Sequence, residues 1–282
     1  MIKTLIFCLM ASIAALSNAS SYLPADSAKV VALLNKASSL PEGTNRMIWF
    51  ARQLKNIPYV AHTLEVNKEE QLIVNLRQLD CTTYVENVLA LTICDKKEKR
   101  TFRDFVKTLQ DIRYRDGEIN DYSSRLHYFT DWIENNTKMG FVREKQGPEP
   151  PFTKTQTINV YYMTAHSHFY TMLKGKTSLI EKIRQQEKAM NGKTYKYIPK
   201  GEIANNQTFR NTISDGDIIA ITTSKKGLDT SHIGIAVWHN DGLHMLNASQ
   251  IHKKVVEEPM TLYEYMHKHP SQTGIRIIGV NK

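Results

Sequence analysis

The sequence predicts an α+β fold in which a helix with a cysteine at its start packs on an antiparallel sheet. Apolar residues recur at helical spacing through Thr82–Ile93, directly after Cys81. Apolar and β-branched residues alternate along 231–238 and again along 243–248, with a turn signal between the two. About 150 positions separate Cys81 from His232, which leaves room for an additional and largely helical insertion.

The N-terminal segment 1–19 has the pattern of a secretory signal peptide. Lys3 gives it a positive start, Leu5–Leu16 is almost entirely apolar, and small residues end it. The apolar run is too short to span a bilayer of ~30 Å comfortably. We therefore expect an exported protein, periplasmic or secreted, whose residues 20–282 form one domain without stable membrane insertion.

Composition and charge narrow the class of protein. Apolar residues make up 41% of the chain and charged residues 23%, as in soluble globular proteins. The formal net charge of +9 falls to about +8 when Lys3 is removed with the signal. Lysine and arginine are scattered and no base-reading motif is present, so we expect no nucleic-acid partner. The charge suits an anionic polymer but does not require one.

Two cysteines remain after the signal, Cys81 and Cys94. They would stand near the two ends of one helix, ~20 Å apart at 1.5 Å per residue. Because a disulfide needs Cα atoms within ~7 Å, we expect no disulfide between them. Cys94 follows an apolar turn and is expected to be a small buried residue.

Cys81 has the position of a nucleophile. Asp80 is a suitable N-cap, which puts Cys81 in the first turn of the helix. Unpaired backbone N–H groups and the helix dipole there stabilise a thiolate, so we expect a lowered thiol pKa. The same N–H groups can bind an oxyanion. The structural alternative is a buried cysteine that merely begins a helix.

The C-terminal part of the chain is predicted to be an antiparallel meander. Strands are expected at Asp217–Ile221, 231–238, 243–248 and Gly274–Val280. The segment His239–Gly242 contains Asp-Gly, the strongest short hairpin signal, and joins the second strand to the third.

His232, at the start of a strand, is the candidate base for the thiol. A base of this kind needs a third group that fixes its tautomer. Asn247 and His244 on the returning strand are the two candidates. They are three residues apart and therefore face opposite sides of a regular strand, so only one can meet His232. The strand pattern alone leaves this choice open.

Five short motifs follow one another in a characteristic order. They are Ile57-Pro58-Tyr59, Leu79-Asp80-Cys81-Thr82-Thr83-Tyr84, Gly216-Asp217-Ile218-Ile219, Ser231-His232-Ile233-Gly234-Ile235 and Leu246-Asn247-Ala248-Ser249. Together they resemble NlpC-type papain-like peptidoglycan hydrolases. With Thr63-Leu64-Glu65 and the stretch 125–132, the chain is most similar to the N-acetylmuramoyl-L-alanine amidase-like branch. The similarity spans roughly residues 47–280.

The resemblance implies a papain-like core and a cofactor-free reaction. Its members cleave the amide between N-acetylmuramic acid and L-Ala in peptidoglycan. By position, it implies Cys81 as nucleophile, His232 as base, Asn247 as third residue and Tyr59 beside the oxyanion. The motif that ends in Ala-Ser favours Asn247 over His244. The alternatives are an NlpC-type peptidase that cuts between D-Glu and a diamino acid, and a non-catalytic wall-binding module.

The insertion is expected at about 97–211. Helices are predicted at 101–112, 128–136, 167–173 and 178–190, with a proline-rich loop at 146–151.

Polar and aromatic residues are concentrated at 122–132, near the second of these helices. Sugar-binding sites often combine side chains of these two kinds. We expect Arg125 and His127 to line the substrate cleft together with Tyr59 and Asp80. The alternative for Arg125 and His127 is an ordinary helix-capping junction with buried aromatics.

No metal site is predicted from the sequence. His166 and His168 have no carboxylate or cysteine clustered near them, so too few metal ligands are available there. We also expect the protein to be a monomer.

Overall fold

The structure is a computed structural model that describes residues 20–147 and 149–281, so the predicted signal peptide lies outside the described residues. The helices are α1 (Pro24–Ala37), α2 (Arg46–Gln53), α3 (Cys81–Lys96), α4 (Phe102–Arg113), α5 (Phe129–Lys138), α6 (Tyr162–Ala165), α7 (Thr177–Met190), α8 (Gln207–Thr212) and α9 (Leu262–His267). The strands are β1 (Val142–Lys145), β2 (Lys154–Thr157), β3 (Thr194–Pro199), β4 (Ile218–Thr223), β5 (Thr230–Trp238), β6 (Leu243–Ser249), β7 (Lys254–Glu257) and β8 (Gln272–Val280).

The strands form one antiparallel sheet in the order β2-β3-β8-β4-β5-β6-β7. Strand β1 also pairs with β8. It pairs with residues 277–280 of β8, whereas β3 pairs with residues 274 and 275. The four strands predicted from the sequence are β4, β5, β6 and β8, which are consecutive neighbours in this order. The prediction of a mixed α+β fold with an antiparallel sheet is confirmed.

Both faces of the sheet are covered, and β4 shows why its sequence is a continuous apolar run. Ile218 and Ala220 point into the core under helices α1 to α5, while Ile219 and Ile221 point into a second core under α8 and α9. Because side chains alternate between the faces of a strand, a sheet buried on both sides needs apolar residues at every position.

Helix α3 is the most deeply buried helix and begins where the sequence predicted. Asp80 is its N-cap: the Thr83 backbone N–H donates to Asp80 Oδ1 over 2.8 Å, and the Asp80 N–H donates to Thr83 Oγ1 over 2.9 Å. This reciprocal pair satisfies two N–H groups at the helix start. The helix packs against α2 and α4 and lies on β5 and β6.

The segment between α3 and β4 contains strands as well as helices. Helices α4, α5 and α7 match three of the predictions. The predicted helix at 167–173 is wrong, since only the 3-10 turn Ser167–Phe169 forms there; its aromatic, histidine and threonine residues are weak helix formers. Strands β1, β2 and β3 were not predicted. Two of them are short, charged and without clean alternation, and their pairing partners are distant in sequence.

Part of this segment forms a third apolar cluster beside the main core. It contains Tyr122, Tyr128, Ile158, Val160, Met163, Met172, Leu173, Ile183 and Met190. Arg276 on β8 is fully buried and anchors the segment to the sheet. Its guanidinium binds Glu144 at 2.5 Å and donates to Thr130 Oγ1 over 2.7 Å.

Within residues 20–147 and 149–281, the helices are all too short or too polar to cross a bilayer.

We predict that Arg113→Met lowers the free energy of unfolding by about 3–5 kcal/mol, because it leaves Glu86 on α3 buried without its partner. Arg113 Nε and Glu86 Oε2 are 2.7 Å apart, and both side chains are 2% exposed. Urea unfolding measures the change. The control is Lys138→Met, which breaks the exposed pair with Asp116 and should cost less than about 1 kcal/mol. Equal effects of the two substitutions would contradict this account.

Candidate active site

One cavity of about 240 Å³ lies where the start of α3 meets the start of β5. Cys81 and His232 both line it, although about 150 positions separate them in the chain. Its wall is formed by Glu65, Cys81, Thr82, Tyr122, Leu126, His127, Tyr128, Phe129, Met163, Tyr170, Leu228, Asp229, Thr230, Ser231, His232 and Ile233. The insertion thus supplies one side of the cavity, and α3 and β5 supply the other.

Cys81 is a free, half-buried thiol at the first position of α3. The backbone of Ile233 and both the backbone and the side chain of Thr82 lie near its sulfur and favour the thiolate form. Ile233 follows His232 directly on β5. The sulfur therefore lies close both to the start of its own helix and to the strand that carries the imidazole.

The expected lowering of the Cys81 pKa is wrong for the free protein. Burial, and next the nearby Asp80 carboxylate, raise the pKa of the thiol to about 12, and the hydrogen bonds from Ile233 and Thr82 offset this only in part. The helix start does place N–H groups at the sulfur, as predicted. Desolvation of the charged form outweighs them, so the resting residue is a neutral thiol.

His232 is held by Asn247. Its Nε2 lies 3.0 Å from Asn247 Oδ1, and Asn247 is fully buried on β6. Because the amide oxygen can only accept, Nε2 carries the proton and Nδ1 has the free lone pair. Burial lowers the pKa of His232 despite the opposing effect of this hydrogen bond. The ring is thus neutral at pH 7 and able to accept a proton.

His244, the other candidate for the third residue, faces away from His232. Its Nδ1 lies 2.9 Å from the Glu258 carbonyl oxygen, and its Nε2 lies 3.0 Å from Asp241 Oδ1. Both ring nitrogens are engaged at the far end of the hairpin. The geometry therefore pairs His232 with Asn247.

Tyr59 and Asp80 lie beside the sulfur rather than on the cavity wall. Burial, followed by the proximity of Cys81 and Asp80, raises the pKa of Tyr59 to about 12, so its hydroxyl remains a donor. The Asp80 carboxylate is occupied by the helix cap.

His127 lines the cavity as expected, whereas Arg125 is not among its lining residues. Burial, and then the charge of Arg125, lower the pKa of His127 to about 3, so the ring is neutral. Arg125 is buried behind the wall. Its guanidinium covers the Tyr122 ring at 4.8 Å and lies 3.5 Å from Glu65 and 3.4 Å from Glu70.

Most of the cavity residues were not assigned from the sequence, among them Glu65, Met163, Tyr170 and Asp229. The Tyr122 hydroxyl donates to Glu65 Oε1 over 2.9 Å, which turns this carboxylate toward the cavity wall. Glu65 stood in one of the motifs of the resemblance, which was a usable signal. Met163 and Tyr170 reach the cavity through the fold of the insertion, whereas Asp229 lies in the loop directly before β5. No local sequence pattern marks any of the three.

Residues 49–275 match the family model named AmiA-like, which is described as N-acetylmuramoyl-L-alanine amidase-like. The chain belongs to this family. Membership supports hydrolase activity on the bacterial cell wall, with peptidoglycan as the substrate that the family implies. A search of curated protein sequences found no match.

Solved structures agree with this family assignment. An N-acetylmuramoyl-L-alanine amidase from Bacteroides uniformis ATCC 8492 is 37% identical, with a TM-score of 0.79 over 86% of this chain and 100% of the other. A chain described as a putative xylanase from Bacteroides fragilis is 38% identical, with a TM-score of 0.76 over 82% and 99%. Protein LPG0564 from Legionella pneumophila str. Philadelphia 1 is 22% identical and shares the fold, with a TM-score of 0.71 over 91% and 94%.

For this amidase-like protein, we predict that Cys81 carries no thiolate at pH 7. Because its pKa is raised, the thiolate should form only well above the ordinary cysteine value of about 8.5. Ultraviolet thiolate absorption, taken as wild type minus Cys81→Ala across a pH series, measures this. The same difference for Cys94→Ala reports the second thiol. A Cys81 signal that persists at pH 6 would show a preformed ion pair instead.

We also predict that Asn247→Ala lowers kcat roughly tenfold or more, because His232 loses the acceptor that orients it. Asn247→Asp should retain more activity than Asn247→Ala, since a carboxylate oxygen also accepts from Nε2–H. Asn240→Ala, the same change on the exposed hairpin turn, is the control and should leave kcat within twofold. Equal rates for the Asn247→Ala and Asn240→Ala variants, measured on muropeptides, would exclude this positioning role.

Proposed function

We propose that this protein is an exported cysteine amidase that cleaves the amide between N-acetylmuramic acid and L-Ala in peptidoglycan fragments. The observation that carries the proposal is the joint placement of Cys81 and His232 on one cavity wall, with His232 Nε2 held by Asn247. Family membership supports the substrate class. The name of the Bacteroides uniformis relative supports this choice of bond.

The reaction begins with a proton transfer. His232 Nδ1 takes the proton of the Cys81 thiol as the sulfur attacks the lactyl carbonyl carbon. A sulfur–carbon bond forms, and the negative charge passes to the carbonyl oxygen. When the tetrahedral intermediate collapses, the carbon–nitrogen bond breaks and the L-Ala amine takes the proton from His232. Water then hydrolyses the thioester, which releases the sugar carboxylate and the free thiol.

Donors for the oxyanion stand at the start of α3. The Cys81 backbone N–H is one of the helix N–H groups without an intrahelical partner. The Tyr59 hydroxyl, protonated because its pKa is raised, is the second proposed donor. Asp80 contributes indirectly, since its cap fixes the first turn on which these groups depend.

The insertion side of the cavity is the proposed sugar and peptide subsite. Tyr122, His127 and Tyr170 line this side, and sugar sites commonly combine aromatic and polar side chains of this kind. Arg125 acts from behind the wall: it neutralises Glu65 and Glu70 and supports the Tyr122 ring rather than touching the substrate.

The order of the site elements supports a papain-like interpretation of the core. A cysteine begins a helix, and the histidine and the orienting amide follow on two adjacent antiparallel strands. The signal pattern of residues 1–19 supports export to the periplasm or the medium, where this substrate occurs. We propose that the enzyme acts as a monomer, since the cavity is formed within a single chain.

Digestion of a defined muropeptide panel tests the proposal. Wild type should release intact stem peptide with a free L-Ala amine and a sugar with a free lactyl carboxylate, both identified by mass spectrometry. Cys81→Ala should lower the rate by more than roughly a thousandfold and keep the fold, because only the nucleophile is removed. Cys94→Ala, the matched control at the buried thiol, should retain the activity of the wild type.

Other products would overturn it. Cleavage between D-Glu and the diamino acid would identify an NlpC-type peptidase. Binding of muropeptides without turnover, by wild type as well as Cys81→Ala, would identify a wall-binding module. A xylan digest belongs in the panel because one similar chain is described as a putative xylanase, and reducing sugar released from xylan alone would exclude the amidase.

A further inference from the structure

A second cluster of reactive side chains lies at the hairpin between β5 and β6. His239, Asp241 and His244 each offer one ligand atom there, and the three atoms lie within 4.8 Å of one another. Seven residues of strand at about 3.3 Å each separate His239 from His232, so this cluster is far from the candidate active site. The sequence predicted no metal site: His239 and Asp241 were assigned to a turn, and His244 was considered only as a candidate third catalytic residue.

His244 has a hydrogen-bonding conflict that a metal ion would resolve. The ring is 2% exposed, its Nδ1 faces the Glu258 carbonyl oxygen, and its Nε2 faces Asp241 Oδ1. Both of these oxygens can only accept, whereas a neutral imidazole has a single N–H. If Nδ1 donates to the carbonyl, the Nε2 lone pair points at a carboxylate. A cation between Nε2 and Asp241 satisfies both groups.

One ring nitrogen of His239 is also bound to an acceptor. Its Nε2 lies 2.9 Å from Glu257 Oε1, which leaves Nδ1 as the free nitrogen. In metal sites, a ligating histidine almost always donates its second ring N–H to a carboxylate or a backbone carbonyl. Glu257 and the Glu258 carbonyl supply one acceptor of each kind. The outer contacts of a two-histidine site are therefore already in place.

We propose that His239, Asp241 and His244 bind a divalent metal ion of the zinc class. Two imidazoles and one carboxylate are a common three-ligand set for Zn²⁺ and leave the fourth position to water. Magnesium and calcium, which prefer oxygen ligands, suit this set poorly. The ion joins the turn to β6 and so fastens the two strands that carry His232 and Asn247.

Binding requires a small closure of the turn. Tetrahedral Zn²⁺ ligands stand about 3.3 Å apart, so the three ligand atoms must draw together. The rings of His239 and His244 stack at 4.3 Å with their planes 23° apart, so His239 must turn to aim a nitrogen at the ion. The side chains of His239 and Asp241 are 40% and 64% exposed, which leaves room for this movement, whereas that of His244 is only 3% exposed.

Zinc titration of the full chain in the Cys81→Ala background tests the site, because the thiol near His232 is itself a zinc ligand. Isothermal titration calorimetry should show one equivalent of Zn²⁺ bound. Adding Asp241→Asn or His239→Gln, both at exposed positions, should weaken binding at least tenfold. Co²⁺ should give the strong visible absorption of a four-coordinate site. Zn²⁺ should raise the Tm of the Cys81→Ala protein but not that of its Asp241→Asn derivative.

The matched control is His166→Gln, which removes an imidazole whose Nδ1 also bonds a backbone carbonyl, that of Tyr162. Its zinc affinity should equal that of the Cys81→Ala background. No binding in that background, or binding that survives both Asp241→Asn and His239→Gln, would overturn the proposal. An ion pair between a protonated His244 and Asp241 would then account for the geometry.

Discussion

The site depends on the meeting of the α3 start with the β5 start. The Ile233 backbone lies near the Cys81 sulfur, and the neighbouring His232 lines the same cavity. The contact between the two elements therefore decides whether the thiol and the imidazole share one site. The Asp80 cap fixes the first turn of α3, and the buried pair of Glu86 and Arg113 fixes its flank against α4. Much of the core therefore serves to hold one sulfur against one strand.

Burial of this meeting point determines the resting protonation state. Desolvation raises the pKa of the Cys81 thiol and lowers that of His232, so both groups are neutral in the free protein. In the proposed mechanism the proton therefore moves from Cys81 to His232 only after the substrate is bound, and no ion pair forms beforehand. A neutral thiol also resists oxidation, because the thiolate is the species that oxidants attack.

Local sequence patterns predicted those features of the site that depend only on residues close together in the chain. The cap before Cys81, the strand of His232 and the alternation that separates Asn247 from His244 follow from helix and strand periodicity. The pKa of Cys81 could not be predicted this way, because it depends on how deeply the folded chain buries the sulfur. Strands β1 to β3 were not predicted for a similar reason: their pairing partners, above all β8, are remote in sequence. Arg125 was predicted to line the substrate cleft, but it is buried and its guanidinium covers the Tyr122 ring.

The most direct test of the central claim is to trap the intermediate on the sulfur. Wild-type protein is mixed with a muropeptide, quenched in acid within the first turnover and digested for peptide mass spectrometry. We predict that the peptide containing Cys81 gains the mass of the N-acetylmuramoyl acyl group, and that this adduct is absent from Cys81→Ala. Turnover without any adduct on Cys81, or an adduct with the mass of a stem-peptide acyl group, would contradict it.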